Sequence, residues 1–221
     1  MAGLVLRANR LLRGESLEAP SGKELRALAS IVLLCGVGYG MVMRTFGGVS
    51  GQRLWQVFYS GAKVPLLLLV TFFISLPSFF VLNTLLGVRE DFPRALAALA
   101  ATQAGLTVIL LSLAPYTALW YASSANYPAA ILFNGAMFAV ASLAAQGLLR
   151  HHYKPLIARN PRHRLLLRIW LLLYVFVGVQ MGWVLRPFVG QPEMPVQFFR
   201  REAWGNAYVE VLRMIGEVLW R

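Results

Sequence analysis

The stretch LRHHYKPLIARNPRHRLLLR, residues 149–168, decides how the chain is read. It sets six Lys/Arg residues, Arg150, Lys154, Arg159, Arg162, Arg164 and Arg168, and all three histidines between two long apolar runs. Lys and Arg beside transmembrane helices stay in the cytoplasm, so a dense basic connector orients every span around it. The six cations are candidate contacts to lipid headgroups, anionic ones by their charge. Arg168 falls one turn inside the next apolar run and can reach back to the headgroups along its aliphatic stem. Asn160 and Pro161 fit a helix cap and a first helical position, so that helix starts before it enters lipid.

The run after the connector, 165–185, has 21 residues. At 1.5 Å per residue it is roughly 31 Å long, enough to cross the hydrocarbon core. The run before it, 128–149, opens on Pro128 and carries Asn134, Ser142 and Gln146 as its polar positions. Three more runs lie upstream, over 95–113, 64–86 and 25–43. Hydrophobic residues make up 58% of the chain, charged residues 14%, and the mean hydropathy is +0.60. An ordinary globular domain is about a quarter charged. The expected fold is therefore all-α, a polytopic transmembrane bundle of five spans with amphipathic helices at both ends. Residues 1–24 form the cytoplasmic N-terminal segment, 25–189 the membrane domain and 190–221 an extracytoplasmic tail.

Between the spans, residues 44–63 read as a loop with room for a short surface helix over 54–59. Residues 87–94, GVREDFPR, read as a tight turn in which Asp91 and Pro93 start the next helix and Arg89 and Arg94 neutralise Glu90 and Asp91. Residues 114–127 hold Tyr116, Trp120, Tyr121 and Tyr127, an interfacial belt at the extracytoplasmic turn. Ser21 and Glu24 have capping-box spacing, and Pro77 predicts a kink near Leu76. At the N-terminal end Leu4, Val5, Ala8, Leu11 and Leu12 oppose Arg7, Arg10 and Arg13, as a surface helix or a basic tail without fixed order. At the other end Tyr208, Val211, Leu212, Ile215, Val218 and Leu219 oppose Glu210, Arg213, Glu217 and Arg221.

Small residues mark where helices approach. Gly36, Gly38 and Gly40 do so in the first span; Ala97, Ala101 and Gly105 recur every fourth residue in the third; Gly178 and Gly182 flank Gln180 in the fifth, facing a helix of this chain or of a partner. The intramembrane amides Asn83, Gln103 and Asn134 either bond across helices or line a polar path. Counted by side, thirteen Lys/Arg fall with the connector and eight opposite, which places the N-terminus in the cytoplasm and the C-terminus outside.

All nine carboxylates fall outside the five spans, which argues against a proton-coupled carrier, because such carriers keep an ionisable group at mid-membrane. No catalytic, cofactor-binding or metal-ligating set assembles, so the chain reads as no enzyme. His151, His152 and His163 read as solvated side chains of the basic connector, and the single Cys35 as a packing residue. The net charge of +12 sits in clusters flanking apolar runs, unlike a nucleic-acid surface.

Five close-set spans, a cytoplasmic N-terminus, the short charged turn between spans two and three and the stretch LPSFFVLNTLLG, residues 76–87, together resemble the Yip1-like membrane proteins over residues 60–190. The long acidic, aromatic N-terminal region of the eukaryotic trafficking members is missing here, so their partner recognition is not carried to any residue. The resemblance implies a non-enzymatic scaffold or adaptor. The Leu/Ala/Arg-rich composition points to a bacterial inner membrane. The expected role is a scaffold or accessory subunit that binds lipid, other membrane subunits or further copies of itself through helix grooves and its amphipathic ends. The alternative is an oligomeric channel or facilitator lined by the amides.

Overall fold

The computed structural model describes residues 22–48, 53–189, 198–199 and 209. It is all-helical over these residues. Five helices, α1 Gly22–Met43, α2 Arg53–Leu85, α3 Phe92–Ser123, α4 Tyr127–Arg159 and α5 Arg162–Val184, are each long and apolar enough to cross a membrane. The chain is an integral membrane protein. The two amphipathic ends and the Ser21 half of the capping box lie outside the described residues.

Three helices are longer than the apolar runs alone predict. Residues 53–63, expected as loop, are the first turns of α2, and residues 114–123, expected as part of a turn, are the last turns of α3. The basic connector is not a loop either, because α4 continues to Arg159 and only Asn160 and Pro161 separate it from α5. At 33 residues and 1.5 Å per residue, α4 is about 50 Å long and overreaches a bilayer core of about 30 Å. Hydropathy marks the lipid-crossing part of a helix and not its ends. Helix α2 runs through Pro65 and Pro77 as one element.

The helix ends follow local chemistry. Asn126 accepts the Ala129 N–H at 3.1 Å ahead of α4, and Pro93 and Pro128 occupy first-turn positions where no N–H is required. Helix α2 closes on Gly87 at φ +71°. The Val88 N–H bonds the Asn83 carbonyl and the Gly87 N–H bonds that of Thr84, a Schellman closure that needs a left-handed residue. Gly87→Ala should therefore cost about 1 kcal/mol, read as a lower midpoint in detergent unfolding. An unchanged midpoint would mean that the turn tolerates a Cβ.

Close approach sets the packing order. Helices have little hydrophobic reason to associate in lipid, so tight van der Waals fit must do it. A Cβ on Gly40 would overlap the Ser60 carbonyl of α2, one on Gly36 would stand 3.2 Å from Pro65, and one on Gly61 would stand 3.0 Å from Met41. These three glycines seat α1 on α2. Gly38 turns to Leu111 of α3. Ala101 and Ala104 of α3 pack with Leu28, Ile31 and Val32 of α1, while Gly105 meets Leu148 of α4. Helix α5 lies on α2, whereas the backbones of α2 and α3 stand apart and large side chains bridge them, Phe79 and Phe80 meeting Phe92 near the short turn. The bundle is thus an arc in the order α4, α3, α1, α2, α5. Its two end helices are joined through the connector and share few contacts elsewhere.

Candidate functional site

The arc leaves a cleft between α4 and α5. Its outer part, toward the end away from the connector, is a cavity of about 600 Å³ bounded by Met43, Tyr127, Asn134, Phe138, Trp183 and residues 186–189. Its inner part, of about 320 Å³, reaches Thr71 of α2, Gln103 of α3, Ser142 and Gln146 of α4, and Trp170, Tyr174 and Gly178 of α5. Leu67 and Phe138 line both. Volumes of this size suit a small organic ligand.

A strap after α5 closes the outer end. Three successive carbonyls are held: Lys63 Nζ donates to Pro187 O at 2.8 Å, Ser60 Oγ to Phe188 O at 2.9 Å and Tyr127 Oη to Val189 O at 3.2 Å. Lys63 is 1% exposed and stands 5.0 Å from the Phe198 ring centre. Read from the sequence it is an ordinary cation at the end of a loop. The structure instead makes it the buried fastener of the strap, because α2 starts eleven residues early and turns it inward. Arg44 is buried as well, with Nη1 donating to Phe46 O at 3.2 Å. No local sequence signal marks either residue, since the carbonyls that receive them are remote or irregular.

The amides separate into different roles. Asn134 Nδ2 donates to Tyr121 Oη and to Ala130 O, and its Oδ1 accepts from Tyr39 Oη at 3.4 Å. Asn134 is therefore a node tying α1, α3 and α4 at the outer cavity. Asn83 donates to Phe79 O of its own helix at 2.8 Å and lines neither part of the cleft. Gln103 accepts the Tyr174 hydroxyl at 2.9 Å. No hydrogen bond from its amide nitrogen is seen among the described residues, and the residue, 7% exposed, lines the inner part of the cleft.

The small-residue sites also divide. Ala97 and Ala101 are fully buried and Gly105 is covered by α4, so that groove is filled from within the chain. A Cβ on Gly178 would stand 3.6 Å from Thr71, whereas one on Gly182 would meet nothing within 4 Å among the described residues. Gln180 is half-buried between them.

At the connector end, Asp91 gathers three partners. Arg94 and Arg159 reach Oδ1 at 3.4 and 3.2 Å, and His163 Nε2 reaches Oδ2 at 3.2 Å. Asp91 lies in the turn ahead of α3, outside the part of the chain that crosses. Partial burial pushes its carboxyl up, but His163 and Arg159 outweigh that and hold it below the usual carboxylate range. Arg162 donates to Leu86 O at 2.9 Å. All six connector cations are exposed, but Arg159 and Arg162 serve the turn of residues 87–94 as well as any headgroup. The histidines are not uniformly solvated. His163 is wholly buried and His152 is 6% exposed, with only His151 outward, because the connector is helical and turns one face inward. Among the described residues no cluster of three or more His, Cys, Asp or Glu stands ready to hold a metal.

Among the described residues the inner part of the cleft offers amides, hydroxyls and aromatic walls and no charged side chain, whereas Arg186 borders the outer part. Compared with known proteins, the chain matches no family model, no curated protein and no solved structure.

Proposed function

We propose that this protein is a non-enzymatic scaffold or accessory subunit of a larger assembly in a bacterial inner membrane, with its N-terminus in the cytoplasm and its C-terminus outside. The reading keeps the chain beside the Yip1-like proteins, supported by five consecutive spans and the short charged turn between the second and third. One observation carries the role. Gly182 completes a Gly-xxx-Gly pair on a helix with exposed Leu172, Val175, Phe176 and Val179, and among the described residues nothing would lie within 4 Å of a Cβ placed on it. A bare glycine beside apolar side chains at the lipid surface is where another membrane helix gains the closest approach. Anionic headgroups at the connector cations would hold the same face in register with the bilayer.

Chemical cross-linking of detergent-purified material tests this. Wild-type protein is expected to form a defined complex with a membrane partner or a second copy, and Gly182→Leu to lose it while melting like the wild type. A complex indifferent to Gly182→Leu removes the proposed contact. An oligomer with an axial cavity lined by Gln103 and Asn134 would instead favour a channel, a reading to which the adjoining cavities lend some support.

A further inference from the structure

The inner cleft carries a ligand reading of its own, independent of any partner subunit. Gln103 lies eleven residues from the start of α3, Tyr174 twelve from the start of α5 and Gln146 thirteen from the end of α4. At 1.5 Å per residue all three sit roughly 17–20 Å from the connector ends of their helices, at one level of the bundle. A polar cluster within apolar helices is costly unless something satisfies it. The Tyr174 hydroxyl takes one face of the Gln103 amide through Oε1, which leaves the NH₂ group as a donor within the cavity wall. Gln146 and Ser142 add further polar atoms from α4.

The walls narrow the occupant further. Among the described residues no charged side chain lines the inner part, so an ionised headgroup would be desolvated there without compensation. A plain acyl chain has no atom that can accept from Gln103. Trp170, Tyr174 and Phe138 supply flat faces for a ring. The rim residues Val175 and Val179 are 56% and 44% exposed, so the cavity opens sideways between α4 and α5 into hydrocarbon and a tail has a way out.

We propose that the inner cleft binds one neutral prenyl-quinone-like lipid, its ring carbonyl accepting from the Gln103 amide nitrogen and its apolar tail leaving past Val175 and Val179. The ring stacks against Trp170 and Tyr174, and Tyr174 acts as a positioning residue that fixes which way the Gln103 amide faces. No electron transfer is part of the proposal. Retention of a carbonyl-bearing ring is its whole content.

The test uses the full chain in nanodiscs of zwitterionic lipid, with decylubiquinone as probe and decylcyclohexane as a tail-matched control without carbonyls. Decylubiquinone should raise the melting temperature saturably, as expected for a ligand that binds only the folded state, and decylcyclohexane should not. Gln103→Leu, which keeps volume but leaves the Tyr174 hydroxyl without its acceptor, should weaken the apparent affinity at least tenfold and lower unliganded melting by the loss of that one bond. Val175→Trp, at an exposed rim position, should block the mouth and abolish the shift without touching the polar cluster, and serves if Gln103→Leu melts early. The proposal is overturned if decylubiquinone gives no saturable shift, if the control shifts melting equally, or if both variants respond like the wild type. Because the readout is the lone chain, success or failure here is separate from the fate of the Gly182 contact.

Discussion

Gly40→Leu is expected to destabilise the protein by about 3 kcal/mol, the upper end of what overpacking costs. The reason is the identity of the obstacle. A Cβ at this position runs into the Ser60 carbonyl and comes within 3.0 Å of the Gly61 Cα, and backbone cannot rotate aside as a side chain does. Relief requires α1 and α2 to separate along their whole crossing. That would also loosen Gly36 from Pro65 and shift Ser60 and Lys63, which hold the strap across the cleft. Unfolding in mixed detergent, with Gly147→Leu as the comparison, reads the effect, since nothing lies within 4 Å of a Cβ on Gly147. Equal midpoints for the two variants would show that α1 and α2 do not cross at Gly40.

Asp91→Ala should cost about 1–3 kcal/mol, because it strips the buried His163 of the carboxylate at its Nε2 and leaves a buried polar group unsatisfied. Arg94 and Arg159 are largely solvated and add little to that figure. The same carboxylate makes the loss depend on pH. Its folded-state value is lowered relative to the ordinary 3.8, so its contribution is fully present above that value and disappears as pH falls through the lowered one. The gap between wild type and Asp91→Ala should be constant from neutral pH down to about 4 and then shrink. A gap that stays the same at the acid end would mean that Asp91 does not join the two connector-side turns as an ion.

Much of the architecture was legible from local signals. Five apolar runs, Pro93 and Pro128 at helix starts, and the glycines of the first span all point to elements that the structure contains. Such features act over a few residues or one turn, so a sequence reading reaches them directly. The lengths of α2, α3 and α4 were less legible, because helix formation outlasts hydropathy wherever neighbouring helices or the aromatic belt support the extra turns. The site was legible only in pieces. Gln103, Ser142, Gln146 and the Gly178–Gly182 pair stand out as polar or small positions in apolar runs, but nothing nearby in sequence says that four of them share a cavity or that Asn83 stands apart.

What the chain's own order of residues determined is that it forms five helices apolar enough to cross a membrane, and that positive charge gathers where α4 meets α5. Those are consequences of transfer free energy and backbone chemistry, which depend on composition over a single helix. The tertiary structure alone decided that α3 packs between α1 and α4, that α5 lies on α2, that Lys63 and His163 are buried, and that the arc leaves a cleft facing the lipid. These depend on which glycine meets which carbonyl across helices some 20 to 130 residues apart, and in lipid such shape fit, rather than flight from water, selects the partners.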